Sequence, residues 1–186
     1  NEKGFNFSML NNIPAKLCYD LGVKNIILWN SDLWCLNESS YIEVLKRHSE
    51  SGSKISGTKL VYPPIDRSLN KVVDSKNIVS TFPGLSGGKW RETVQFGGDY
   101  WLKDRERFIP IHHKRFSEVT NPMVNCDRGC LFVTGAFQIW DLEHFINLGG
   151  LNPSLSKNYQ DVDICIRSAE SGIFPMYFGK DLFFYH

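Results

Sequence analysis

At 186 residues, 42% of them hydrophobic and 22% charged, the chain has the length and apolar content for one domain with its own core. Twenty-one basic residues against twenty acidic ones leave a formal charge of +1, which offers no electrostatic footprint for nucleic acid or another strongly anionic partner. The longest apolar stretch, Cys130 to Trp140, is too short and too interrupted for a transmembrane segment. Five cysteines, an odd number, argue against a disulfide framework and for a reducing, cytoplasmic setting. Any association with a membrane surface would then come from other parts of the protein. No signal peptide is present, and a start at Asn1 without methionine is expected of an excised or processed chain.

The first elements alternate helix and strand. Ser8 to Leu21 reads as a helix weakened by Pro14 and broken at Gly22. Val23 to Trp29 is a compact β-rich run that fits a strand buried on both faces, ending at Asn30-Ser31-Asp32. Tyr41, Val44, Leu45 and His48 fall at i, i+3, i+4 and i+7, so Glu38 to Ser49 is an amphipathic helix. Lys54 to Tyr62 reads as another strand, closed by Pro63-Pro64. This order predicts an α/β fold: a mixed, mainly parallel sheet flanked by helices.

Residues 63 to 125 break the pattern and form an irregular insertion in what is otherwise a single domain over residues 1 to 186. Phe82, Trp90, Phe96, Tyr100, Trp101, Phe108 and Phe116 alternate with charges, prolines and glycines. Short strands, loops and a hairpin over the sheet edge are expected there, and loops of this length tend to be functional. The aromatics suit either a satellite core or the C–H faces of sugar rings.

Order returns with a strand over Leu131 to Trp140 and a helix over Asp141 to Leu148. Asp141 is the candidate N-cap and Gly149 the C-cap. A further helix puts Val162, Cys165, Ile166 and Ala169 on one face and ends at Gly172. Two short aromatic strands finish at Phe184-Tyr185-His186.

Four places carry candidate chemistry. Asp32 follows a strand end, where open sheets gather ligands, and is either a cation ligand or a turn residue. Asp161 and Asp163 lie about 200° apart on a helix, so both cannot serve one site. Asp163 is placed to pair with Arg167 at i+4, while Asp161 is either a favourable charge at the helix start or a general base. His186 is either a strand-edge residue or a donor to a divalent ion. Cys126 and Cys130 could be half of a zinc site, but no second Cys/His pair matches them. The sequons Asn6-Phe7-Ser8 and Asn37-Glu38-Ser39 matter only in a secreted chain. His112 and His113 have no matched carboxylate spacing and stay unassigned.

Taken in order, Asn30-Ser31-Asp32 after a strand, Thr134-Gly135-Ala136-Phe137, Gly149-Gly150, Asp161 to Arg167 and the final Phe184-Tyr185-His186 resemble the family 2 glycosyltransferases of the GT-A fold, their rhamnosyl- and galactosyltransferase-like branch above all. The similarity covers residues 4 to 62 and 130 to 186, with Gly4-Phe5 and Asn11-Asn12 resembling a further family segment. It implies inverting transfer of a sugar from a nucleotide-diphosphate-sugar donor to a glycan or other hydroxyl acceptor. Under it, Asn30 and Asp32 would face the donor diphosphate, Asp32 and His186 would hold Mn²⁺ or Mg²⁺, and Asp161 would be the catalytic base. The chain departs from the family at Gln160, usually Glu, and at Asn152-Pro153, usually Asp-Glu. It also lacks the first nucleotide-binding strands, so the resemblance implies an incomplete Rossmann-like half with weak donor binding. A non-catalytic carbohydrate-binding or interaction module is the alternative that these departures favour. A nucleotidyltransferase is a third, weakened by the lack of a glycine-rich phosphate loop near the start.

Overall fold

The computed structural model describes residues 5–35, 38–63, 65–66, 71–73, 78–81, 89–90, 92–155 and 158–186, with backbone alone at 65–66, 71–73, 78–81, 89–90 and 100. Gly4, Asn37, Pro64 and Phe82 lie outside the described residues, as do the side chains of Trp90 and Tyr100.

The chain opens with α1 (Phe7–Asp20), capped by the Asn6 side chain, which accepts from the Met9 N–H at 3.0 Å. The Asn6 amide also donates to the Pro153 carbonyl, and the buried Ser8 hydroxyl to the Asn152 carbonyl, so both polar residues of this sequon make tertiary contacts. Next come β1 (Asn25–Trp29), α2 (Glu38–Ser51), β2 (Ile55–Thr58) and β3 (Leu60–Tyr62). The middle holds β4 (Ile65–Asp66), β5 (Lys71–Val73), β6 (Ile78–Thr81), β7 (Lys89–Trp90), β8 (Thr93–Phe96), β9 (Asp99–Asp104) and β10 (Arg107–His112). The last third contributes β11 (Asp127–Gly129), β12 (Phe137–Asp141), α3 (Leu142–Asn147), α4 (Gln160–Glu170), β13 (Met176–Phe178) and β14 (Phe184–Tyr185). No helix among the described residues is long and apolar enough to cross a membrane.

The mainly parallel, Rossmann-like, helix-flanked sheet expected from the helix–strand alternation is not what forms. The largest sheet has five strands in the order β1-β12-β2-β13-β11, and a three-stranded sheet runs β14-β3-β8. Among the described residues only β2–β13 and β3–β14 pair in parallel; the other pairs are antiparallel. The physical reason lies in β12. It inserts between β1 and β2 and runs against both, so two strands of like direction are separated by a reversed one. A short apolar run does not encode its neighbour, and here the neighbour comes from far along the chain.

Burial follows that order. β12 is buried from Phe137 to Trp140, with Gln138 donating to the Val133 carbonyl at 2.6 Å and accepting from the Trp140 indole at 2.9 Å. β1, at the sheet edge, buries only Leu28 fully, not both faces as expected. The strand expected over Leu131 to Trp140 shortens to β12, because residues 131 to 134 are irregular and residues 135 and 136 turn. On α4 the buried apolar residues are Val162, Ile164 and Cys165, whereas Ile166 faces outward. Asp141 does cap α3, accepting from the His144 N–H at 2.9 Å, and β9–β10 forms the expected hairpin.

The strand expected over Lys54 to Tyr62 is divided between two sheets, and Lys59 sits at the division. Its side chain is fully buried, and its Nζ donates to the Val119 carbonyl (3.0 Å), Asn125 Oδ1 (2.8 Å) and the Gly179 carbonyl (2.8 Å). One ammonium therefore ties the strand junction to two separate loops. Burial pulls its pKa down to about 8, while the nearby negative charges, Asp181 first, favour the charged form and limit the fall.

The unfolded chain keeps the Lys59 proton to near 10.5 and the folded chain releases it near 8. Between those values the unfolded state binds more protons, so this residue's contribution to stability rises with pH. Urea unfolding at pH 7.5 and pH 10 should show the wild type gaining on Lys59→Met, by no more than about 3 kcal/mol. A difference that stays flat or shrinks would contradict the depressed pKa.

Candidate active site

The antiparallel register of β1 and β12 builds one wall of a cavity. Trp29 faces Phe137, and the Asn30 N–H donates to the Ala136 carbonyl at 3.0 Å. The end of β1 therefore meets the start of β12, and Asn30-Ser31-Asp32 lies against Gly135-Ala136. A turn closed from the Leu33 N–H to the Asn30 carbonyl (3.1 Å) holds Asp32 at the surface.

His186 reaches the same turn from the other end of the chain. Trp34 and Tyr185 exchange both backbone hydrogen bonds, at 3.0 and 2.8 Å, and their rings pack with centroids 5.6 Å apart. The residue after Tyr185 is thereby carried to Asp32. His186 Nε2 lies 3.2 Å from Asp32 Oδ1 and 3.4 Å from Asn30 Nδ2. Its Nδ1 is 2.7 Å from Gln95 Oε1. An amide oxygen only accepts, so Nδ1 carries the proton, and Nε2 either protonates towards Asp32 or offers its lone pair to a cation.

Asp161 closes the opposite side. It does not cap α4: the cap position belongs to Tyr159, whose φ of +66° is rare for a bulky residue and whose side chain makes no cap bond. That turn sends Asp161 across to the Thr134-Gly135-Ala136 segment. Its Oδ2 accepts from the Gly135 N–H at 2.7 Å and its Oδ1 from the Val162 N–H at 2.9 Å. Asp163 points elsewhere and pairs with Arg167 at 2.7 Å, and Arg167 also donates to the Gly150 carbonyl at 2.8 Å. Gly150, at φ +71°, packs against Asn12, whose amide both donates to and accepts from the Leu151 backbone. Gln160 is buried, and its amide donates to the Leu155 carbonyl at 2.8 Å.

Asn30, Asp32, Asp161 and His186 all line one cavity of about 960 Å³, open to solvent. The spacing of Asp32 and His186 suits a divalent ion, since two adjacent ligands at about 2.1 Å from an octahedral centre stand about 3 Å apart. One carboxylate and one imidazole leave most coordination positions to other oxygens, the usual situation of an ion carried on a diphosphate. No group of three or more His, Cys, Asp or Glu donors occurs among the described residues. Cys126 and Cys130 give no zinc half-site: their thiols face different carbonyls, Met123 and Pro175. Burial raises the Cys130 pKa and keeps that thiol protonated.

Three of the described aromatics of residues 63 to 125 make contacts within the protein. Phe96 is core, Trp101 packs on Phe132, and the exposed Phe116 stacks on Tyr62 with Arg115 over its ring. Among the described residues the cavity's aromatic lining comes from Phe5, Phe7, Trp29, Phe132 and Tyr159, outside that segment. The middle segment supplies Pro110 and His112 instead. No sequence spacing pointed to His112 or to its partner Gln95, because their meeting depends on how β8 and β10 cross.

Comparisons with protein-family models and with curated proteins found no match for this chain.

Gly135 bears on how Asp161 is held. A Cβ at Gly135 would meet the Asp161 Cβ at 3.2 Å and its Oδ2 at 3.4 Å. Gly135→Ala should push the carboxylate away from its backbone donor and lower stability by about 1–2 kcal/mol with an unchanged m-value. Urea denaturation measures this, and a variant as stable as the wild type would mean that α4 is not packed so closely on the turn.

Proposed function

We propose that this chain forms part of an inverting sugar-transfer site, in which a nucleotide-diphosphate sugar gives its sugar to the hydroxyl of a glycan or other acceptor. The observation that supports it best is the convergence on one cavity of a carboxylate, Asp161, and a separate carboxylate–imidazole pair, Asp32 and His186. The order of sequence motifs, which resembles family 2 glycosyltransferases, agrees with this division of labour.

In this scheme Asp161 is the general base. Two backbone N–H groups orient its oxygens, and the acceptor's hydroxyl proton passes to the carboxylate as its oxygen attacks the anomeric carbon. The bond from that carbon to the diphosphate oxygen breaks on the opposite face, and the electron pair leaves with the diphosphate. Asp32 and His186 would hold Mn²⁺ or Mg²⁺, which when bound neutralises charge on the leaving diphosphate. Asn30, beside them, is positioned to donate from its amide towards the donor. The alternative, a module that binds carbohydrate without transferring it, is favoured by Gln160, a buried amide where the family has an acid. A reducing, cytoplasmic setting belongs to the same proposal and fits the buried thiols of Cys130 and Cys165.

General-base removal typically costs 10²–10⁴ in rate. Asp161→Asn should lower transfer by about a thousandfold with little change in melting temperature, as measured by product formation from a panel of nucleotide-diphosphate sugars. Full activity in that variant would remove Asp161 from the base role, and sugar binding with no transfer by the wild type would select the binding module. Asp32→Ala should independently abolish Mn²⁺-induced broadening of amide resonances near His186. Broadening that persists there would place the ion elsewhere.

A further inference from the structure

We propose that His112 is a sugar-binding residue of this cavity, its Nε2 accepting a hydrogen bond from a hydroxyl of a neutral pyranose held beside Asp161. The class of ligand rests on the sugar-transfer proposal above, whereas the availability of the nitrogen rests on geometry alone.

The geometry begins with a fault in the β3–β8 ladder. Leu60 faces Phe96 and Val61 faces Val94, so Gln95 is the extra residue of a bulge. Bulges leave one residue out of the ladder and re-aim its groups, often next to active sites. Here the two oxygens of Gln95 serve two histidines. Its backbone carbonyl lies 2.9 Å from His112 Nδ1, and its side-chain Oε1 lies 2.7 Å from His186 Nδ1. Both oxygens only accept, so Nδ1 carries a proton in both rings, and a neutral His112 keeps its lone pair on Nε2. For His186 that nitrogen faces Asp32. For His112 no described residue hydrogen-bonds it.

The His112 ring is also fixed in place. It meets the buried Phe96 edge-on, with centroids 5.1 Å apart and planes at 90°. Burial, together with the Arg115 charge, lowers its pKa below the ordinary histidine value, against the Gln95 hydrogen bond and the smaller pull of Asp161, so the neutral form prevails at pH 7. A neutral imidazole held in one tautomer is an acceptor in search of a donor.

The surroundings narrow the ligand. Asp161 and the His112 Nε2 both accept and do not donate, which suits hydroxyl groups and disfavours an anion. Pro110, two residues back on β10 and on the same face of the hairpin, also lines the cavity and offers an apolar surface for ring C–H groups. The cation-compatible pair, Asp32 and His186, meets His112 through the shared Gln95. A polyhydroxylated ring without charge fits the His112 end on both counts.

The test is ¹⁵N NMR of the histidine ring nitrogens in the 186-residue chain, titrated with the methyl glycosides of glucose, galactose, N-acetylglucosamine and rhamnose. His112→Asn is the matched variant, because its amide nitrogen keeps a donor near the Gln95 carbonyl while deleting Nε2. At least one glycoside should shift the His112 Nε2 resonance saturably, and His112→Asn should weaken that glycoside's binding about tenfold, as expected for one lost hydrogen bond. Mn²⁺ binding near Asp32 should be unchanged in the variant. Failure of all four glycosides to move the resonance, or equal binding by the variant, overturns the proposal. Glycoside binding that needs His112 beside an Asp161→Asn variant with full transfer would sustain this inference and remove the base assignment. The converse pair of results would remove only this one.

Discussion

The register of β1 against β12 is the constraint on which the site depends. Because the two strands are antiparallel, the carboxyl end of β1 meets the amino end of β12, Trp29 opposite Phe137, with Asn30 bonded to Ala136. Had a parallel strand filled that place, the turn bearing Asp32 would have met the far end of its neighbour, near Asp141. The reversal that rules out a mainly parallel sheet is thus the same one that puts Asn30-Ser31-Asp32 beside Gly135. Asp161 then completes the wall, since it bonds the Gly135 N–H from the start of α4.

Two further devices bring distant residues to this wall. The Trp34–Tyr185 bridge carries the end of the last strand to the β1 turn, so His186 meets Asp32 across most of the chain's length. The bulge at Gln95 turns one residue of the middle segment towards both His186 and His112. Each uses backbone hydrogen bonding to place a side chain. Rigid backbone positions side chains more closely than mobile loops do, and acid–base or ligand chemistry needs that precision. Lys59 plays the complementary part away from the cavity, where a buried ammonium anchors the loops around residues 119, 125 and 179 to the strand junction.

Local structure was largely legible from residues. The Asp141 cap, the i, i+4 pair of Asp163 with Arg167 and the extents of α1, α2 and α3 follow from interactions within a few positions. The separation of Asp161 from Asp163 was legible for the same reason, because helix geometry is local. Where expectation failed, the deciding contact was remote. Lys54 to Tyr62 reads as one strand, yet it divides where Lys59 meets partners about 60 and 120 positions away in sequence. Residues 131 to 136 look like strand but are irregular up to Thr134 and turn at Gly135-Ala136, held by the α4 carboxylate and the Gln138 side chain.

The sequence by itself determined the helices, the Asp141 cap, the existence of a middle segment unlike the rest, and the identity of Asn30, Asp32, Asp161 and His186 as groups capable of ligand and base chemistry. Residue type and short spacing suffice for those, since they depend on side-chain functional groups and on helical periodicity. Only the tertiary structure decided strand order, the sharing of one cavity by those four residues, and the inclusion of His112 through Gln95. Strand pairing and bulges are chosen by the free energy of burying whole faces together, and that quantity belongs to the packed molecule and not to any short stretch of it.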